Sequence, residues 1–182
     1  MSKPWTKETL KLPKNHAFKA QPDCRIFIAD HGTVRFDFPQ DWVVRPADEA
    51  NAIALHDKQP PRDSCRIMVT PYRIPRELTW DDLPLEQMAR DVLQEKRSDA
   101  ELHRDDRNGL QIIWVEFDWP DPENGRAIRT RQMLARGGQV TAVITFDFYA
   151  DEADKWLAVW EILLKSLQLD QYIADPTKHI AH

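Results

Sequence analysis

Two segments in the second half of the chain are apolar at consecutive positions, and this pattern limits the folds that the chain can adopt. They are Ile112-Ile-Trp-Val-Glu-Phe117 and Val140-Thr-Ala-Val-Ile-Thr-Phe146. Their β-branched and aromatic residues favour strands, but a strand with one face in water should alternate apolar and polar residues. These segments do not alternate, so we infer a sheet that is covered on both faces over at least part of its area.

Turn signals connect these segments into a meander of consecutive strands. Asn108-Gly109 is a strong hairpin signal because type I′ turns require positive φ at both central residues, and Gly137-Gly138 marks another turn. The predicted strands are residues 110–119, 126–136 and 139–149. Consecutive strands joined by short turns pair in antiparallel fashion.

The loop between the first two strands of the meander determines their register. If Trp119 pairs with Arg126 across the Pro120–Gly125 loop, Glu116 lies directly opposite Arg129. Opposite charges that face each other across strands contribute a few tenths to about 1 kcal/mol. The Glu116–Arg129 pair is therefore the predicted marker of this register.

Shorter strands precede the meander, and each is bounded by turn residues. Alternation in Val34-Arg-Phe-Asp-Phe38 predicts a strand with one wetter face, and residues 42–44, 52–55 and 66–70 read as three more. Pro71 and Pro75 argue against the continuation of the last one as an ordinary central strand, because proline cannot donate to a neighbouring strand.

Two helices are predicted, one on each side of the meander in the sequence. The first has Leu85, Met88, Val92 and Lys96 at helical spacing, with Asp81 and Asp82 as caps. The second runs from Asp151 to Leu169. Its apolar stripe predicts burial against a sheet, and the residues of the stripe are Trp156, Trp160, Leu163, Leu164 and Leu167. Asp151 is its predicted N-cap.

Charge is distributed unevenly along the 182 residues, whose net charge is −5. Five lysines and one glutamate give residues 1–20 a charge of +4, which leaves −9 on the rest. An acidic body argues against a nucleic-acid partner. We predict a basic arm over residues 1–22, one α+β domain over 23–170 and a tail over 171–182.

The chain shows neither an apolar segment long enough to cross a bilayer nor the apolar centre of a signal peptide. A cytoplasmic location without membrane insertion is therefore the expectation. In that compartment Cys24 and Cys65 are most simply free thiols, although a disulfide between them stays open.

Two segments resemble the PsbP-like and DcrB-like superfamily. Val34-Arg-Phe-Asp-Phe-Pro-Gln-Asp-Trp-Val-Val44 is similar to its opening strands, and Trp156-Leu-Ala-Val-Trp-Glu-Ile-Leu-Leu-Lys-Ser-Leu-Gln-Leu169 to its closing helix. The superfamily also includes a Ran-binding nuclear transport factor and chaperones of type VI secretion effectors. The resemblance implies an antiparallel sheet with helices packed on both faces, an α/β/α sandwich, and a role in binding rather than turnover. A cytosolic adaptor or chaperone is the best analogue.

Catalytic, cofactor and metal motifs are missing from the sequence. No Gly-rich phosphate loop and no Gly-x-Ser-x-Gly elbow is present, so no cofactor is expected. Two histidines next to carboxylates, in His56-Asp57 and His103-Arg-Asp-Asp106, are candidates for acid–base chemistry. A small hydrolase or isomerase is therefore the alternative function. His179 and His182 belong to a terminal tail and do not predict a metal site.

Trp119 is the tryptophan whose position suggests binding. It stands at the end of a predicted strand, beside a long polar loop and near Arg126. Trp and Arg are over-represented among residues that dominate interface energies. We predict that Trp119 and Arg126 contact a protein partner; the alternative is that Trp119 packs at the sheet rim while Arg126 pairs with Asp118 or Asp121.

Overall fold

The computed structural model describes residues 6–49, 51–75, 77–79, 82–93 and 100–178. In chain order its elements are β1 (Cys24–Ala29), β2 (Val34–Pro39), β3 (Val43–Pro46), β4 (Ile53–His56), β5 (Cys65–Arg73), α1 (Leu85–Leu93), β6 (His103–Arg107), β7 (Leu110–Pro120), β8 (Ala127–Gly137), β9 (Val140–Tyr149), α2 (Ala153–Ser166) and β10 (Gln168–Leu169).

Within these residues the strands form two antiparallel sheets. The larger has the order β3-β4-β5-β9-β8-β7-β6, and the smaller has the order β1-β2-β10. The predicted α+β class and the antiparallel pairing of the meander are confirmed. The predicted single sheet is wrong, because β2 pairs with β1 and β10 instead of joining the larger sheet.

The part of the chain that the structure describes has two hydrophobic clusters, and β7 contributes to both. Ile112 belongs to the larger cluster together with Trp160 of α2. Ile113 and Val115 belong to the smaller cluster, which also contains residues of α1, namely Leu85 and Ala89. Successive strand residues point to opposite faces. Alternate residues of β7 therefore enter different clusters, which explains why its sequence is apolar at consecutive positions.

β5 continues through a proline, which the sequence had argued against. It pairs with β9 as far as Arg73, so that Pro71 lies opposite Ala142. Its pairing with β4 ends at Val69. Beyond Val69 the β4 side of the strand is an edge, where the missing N–H of Pro71 costs no ladder hydrogen bond.

The predicted register of β7 and β8 is wrong by two residues. Trp119 pairs with Ile128, and Glu116 lies opposite Arg131. The reason is that β7 extends through Pro120, while the N–H of Asp121 donates to the carbonyl of Arg126 at 2.7 Å and closes the loop. A shift of two keeps every side chain on its predicted face, so Arg129 still approaches Glu116 at 3.8 Å.

The second helix, α2, is shorter than predicted. Asp151 lies in a 3₁₀ turn before α2 and makes no capping bond; its carboxylate accepts a hydrogen bond from Arg126. The first helix is described from Leu85 to Leu93. Its predicted cap Asp81 and its predicted end at Lys96, like the terminal His179 and His182, lie outside the described residues.

The described parts of the arm and of the tail contact the body. In the arm, His16 is buried, and the N–H of Gln21 donates to the Asp37 carboxylate at 2.8 Å. In the tail, Ile173 is buried, and its N–H donates to the carbonyl of His31 at 2.8 Å. The division at residues 22 and 170 stays a prediction.

A search of the described helices for a membrane-spanning segment finds none with the length and apolar character required.

Candidate functional site

A cavity of about 490 Å³, which we call the basin, opens on the larger sheet. Residues of β3, β4, β5, β7, β8 and β9 line it, together with the loops after β3, β4 and β7. Its wall residue Trp119 has the same parity on β7 as Ile113 and Val115, which pack with α1. The basin therefore continues the sheet face that α1 covers farther along the strands.

Its floor is a row of cross-strand neighbours that includes charged residues. His56 of β4 pairs with Arg66 of β5, and Arg66 pairs with Asp147 of β9. Asp147 in turn pairs with Thr130 of β8, which is buried and is not itself part of the lining. Directly paired residues share a face. The pairing of four strands thus aligns these side chains, although Arg66 and Asp147 are 81 positions apart in the sequence.

A chain of hydrogen bonds joins this floor to the wall of the basin. The indole N–H of Trp119 donates to Thr130 Oγ1 at 2.9 Å, and the Thr130 hydroxyl donates to Asp147 Oδ1 at 2.6 Å. The other oxygen of Asp147 accepts from Arg66 at 2.6 Å. Burial disfavours the charged form of Arg66, but the hydrogen bond and the charge of Asp147 outweigh it and raise the pKa of the guanidinium.

Trp119, one of the two predicted partner-binding residues, lines this basin and is half-buried. Its N–H is satisfied by Thr130, so one hydrogen bond fixes the position of the ring in the wall. The structure places Trp119 beside a cavity, which the sequence did not reveal. Its contact with a partner stays a prediction.

Arg126, the other predicted partner-binding residue, lies outside the basin. Its guanidinium donates to Asp151 at 2.6 Å and to Glu152 at 3.0 Å, and stacks 3.6 Å above the ring of Tyr149. It is not among the residues that line the basin. The alternative pairing with Asp118 or Asp121 is wrong, because Asp118 binds Arg129 and Asp121 accepts from the Tyr149 hydroxyl. The contact of Arg126 with a partner stays a prediction.

The predicted acid–base pair of His56 with Asp57 does not form; Asp63 takes the place of Asp57. His56 Nδ1 lies 2.8 Å from Asp63 Oδ2 in the basin. Adjacent residues at a strand end point in different directions, and Asp57 instead accepts from the backbone N–H groups of Ser64 and Cys65 at 2.8 and 3.0 Å. No local sequence signal could identify Asp63 as the partner.

The second histidine candidate is a packing residue. His103 stacks on Trp114 with a centroid distance of 4.2 Å. Asp105, two residues farther along β6, makes an ion pair with Arg107 at 2.9 Å instead. Over the described ranges, no three His, Cys, Asp or Glu side chains group closely enough to hold a metal ion.

We expect Thr130→Val to lower the free energy of unfolding by about 1–3 kcal/mol, because Trp119 and Asp147 each lose a hydrogen-bond partner in a buried setting. Thr141→Val is the matched control. Thr141 is also buried, but its hydroxyl has no hydrogen-bond partner among the described residues. Urea unfolding should show little loss, or a gain, for Thr141→Val; equal losses in the two variants would disprove a role for the hydrogen-bond chain.

Comparison with known proteins gives the family and the fold. An uncharacterised protein of Nostoc sp. (strain PCC 7120), alr1449, is 35% identical over 97% of this chain and 93% of its own. CyanoP, the PsbP of Synechocystis sp. PCC 6803, has a TM-score of 0.55 at 13% identity, with 82% of this chain and 94% of that chain covered.

A Bacteroides thetaiotaomicron VPI-5482 protein has a TM-score of 0.60 at 11% identity; the match covers 82% of this chain and 49% of that longer chain. At such identities the two structures show the fold alone, which agrees with the resemblance noted in the sequence. The Alr1449 family model matches residues 25–173. The chain thus belongs to the Alr1449 family, and its fold is that of the PsbP-like superfamily.

Proposed function

We propose that this chain is a non-catalytic binding protein, an adaptor or chaperone that docks a protein partner in the basin. The observation that carries the proposal is the basin itself, a concave part of the sheet face beside the part that packs with α1. Concave sites with a few fixed polar groups are where proteins usually bind ligands. Trp119 lines this site, and its single orientation reduces the entropy that binding would cost.

The helix arrangement is part of the same proposal. We infer that α1 and α2 lie on opposite faces of the larger sheet, as in an α/β/α sandwich. In support, α1 clusters with Ile113 and Val115, while α2 clusters with Ile112. In this arrangement α2 supports the basin from behind, and only the face that carries α1 is open to a partner.

A cytoplasmic location also belongs to the proposal. Cys24 and Cys65 are both free thiols in the structure, which is typical of a reducing compartment. Cys65 is buried, and burial first, then the charge of Asp57, raise the pKa of its thiol well above the ordinary value. A thiol of this kind is unreactive and behaves as a small apolar side chain.

Two single substitutions test the docking site, since the structure separates the predicted residues. The partner would be identified by affinity capture from source cells and titrated against purified variants. We expect Trp119→Ala to weaken binding about tenfold or more, and Arg126→Ala to have a smaller effect because Arg126 lies outside the basin. Tyr72→Ala, an exposed aromatic that does not line the basin, is the control. Unchanged affinity in a folded Trp119→Ala variant would reject docking at the basin.

The histidine pair supports one second candidate, a small hydrolase or isomerase. His56 with Asp63 is the arrangement in which a carboxylate orients an imidazole for proton transfer. The test is turnover of ester, amide and keto-acid substrates by the parent chain and by His56→Gln. Turnover that disappears in His56→Gln would establish this candidate, and equal rates in the two proteins would remove it.

A further inference from the structure

We propose that the basin receives a lysine or arginine side chain from the protein partner. This inference rests on the proposed docking function and specifies the chemistry of the partner. Two independent features of the basin favour a cationic donor: the charge of its lining and an aromatic wall.

The lining of the basin is acidic. Six carboxylates and two guanidiniums contribute to it, and these eight groups together carry a charge of −4. The carboxylates are those of Asp48, Glu49, Asp63, Asp121, Glu123 and Asp147. A cavity lined by one sign of charge concentrates ligands of the opposite sign.

The carboxylates of the lining differ in whether they already bind another side chain. Asp147 binds Arg66, and Asp121 accepts from the Tyr149 hydroxyl. The carboxylate of Asp63 lies 2.8 Å from His56 Nδ1. Asp48, Glu49 and Glu123, in contrast, are exposed and make no side-chain hydrogen bond or ion pair with any described residue. These three, which we call the rim carboxylates, remain available to a ligand, and Arg45 offsets only part of their charge.

Trp119 completes the site. A cation within about 6 Å of an indole face is attracted by the ring, and tryptophan is the best of the aromatic residues for this contact. Because Thr130 holds the N–H of Trp119, the ring does not have to reorganise when a cation enters. The volume of about 490 Å³ lies in the range of sites that enclose a small ligand or an anchoring side chain.

The direct test uses short fluorescein-labelled peptides that differ at one central residue. Arginine, citrulline and glutamate versions would be titrated by fluorescence anisotropy against the full chain. We expect the arginine peptide to bind about tenfold or more tightly than the citrulline peptide, and more tightly at low than at high salt. Citrulline retains the shape and loses the charge, so the ratio measures recognition of the cation.

Matched variants locate the contact. The site variant combines Asp48→Asn, Glu49→Gln and Glu123→Gln; the control combines Asp91→Asn, Glu77→Gln and Glu101→Gln, which are exposed and lie outside the basin. Each variant removes three negative charges, from one aspartate and two glutamates. We expect the site variant to lose the preference for arginine and the control to keep it. A loss in both, or in neither, would overturn the proposal, as would equal binding of the arginine and citrulline peptides.

The basic arm of the chain is the competing occupant. Lys7 Nζ donates to the carbonyl of Val44 at 3.2 Å, one residue before Arg45 of the lining. If Lys7→Ala strengthened peptide binding severalfold, the arm would be the ligand of the basin and the proposal of a partner's side chain would fail. If the chain bound the natural partner but bound the arginine and citrulline peptides equally, only this inference would be rejected, and the docking function would stand. If Trp119→Ala left the affinity for the natural partner unchanged, the docking function itself would be rejected.

Discussion

Replacement of Trp160 by alanine is expected to lower the free energy of unfolding by about 3–5 kcal/mol, the usual range for a large aromatic residue in a core. Trp160 of α2 is 2% exposed. Its ring stacks on Phe146 at 5.6 Å and meets Trp114 edge-on at 6.1 Å. Its removal would leave a cavity between α2 and the larger sheet, and typical domains have only about 5–15 kcal/mol of stability in total.

The measurement is urea unfolding followed by circular dichroism. Tyr172→Ala is the control, because Tyr172 is 77% exposed and should change stability by less than about 0.5 kcal/mol. If Trp160→Ala unfolded at the same urea concentration as the parent, the packing of α2 described above would be wrong.

Gly32→Ala is expected to be the most damaging glycine substitution, with a loss of about 3 kcal/mol or more. Gly32 has a φ of +93°, and a Cβ placed there would lie 1.7 Å from the carbonyl oxygen of Gln171. That carbonyl belongs to the backbone of the tail, where the N–H of Gln171 donates to the carbonyl of Gly32 at 3.0 Å. The backbone at Gly32 and the backbone at Gln171 must therefore move apart to accommodate the methyl group.

Gly109→Ala separates the steric cost from the conformational one. Gly109 has a similar φ of +74°, but no atom lies within 4 Å of the position that its Cβ would take. We expect this variant to lose only about 1–2 kcal/mol, the cost of a left-handed residue with a side chain. Equal losses in the two variants would show that the contact with Gln171 contributes nothing to stability.

Local patterns predicted much of the fold because each depends on near neighbours in the chain. The Asn108-Gly109 turn has the expected positive φ at both residues, 56° and 74°. The apolar stripe predicted for the last helix is buried at Trp156, Trp160 and Leu164. The predicted faces of the meander are also confirmed, since they follow from a period of two that a register shift of two preserves.

Predictions that required distances between elements were less successful. The register across residues 120–126 was wrong because the Asp121–Arg126 hydrogen bond, not the sequence of the loop, decides where pairing begins. The cap at Asp151 was wrong because Arg126, 25 positions earlier, binds its carboxylate. In the second case a partner 25 positions away outweighed a local capping preference.

The sequence by itself determined the α+β class, the strands of the meander, the last helix and the acidic character of the body, since composition and periodicity express these directly. Only the tertiary structure decided the basin. His56 and Asp63 meet there, and Arg66 lies beside Asp147 across 81 positions of sequence. No periodicity encodes such a convergence, because it depends on which strands become neighbours in the sheet and in which register, and the packing of the whole core selects both.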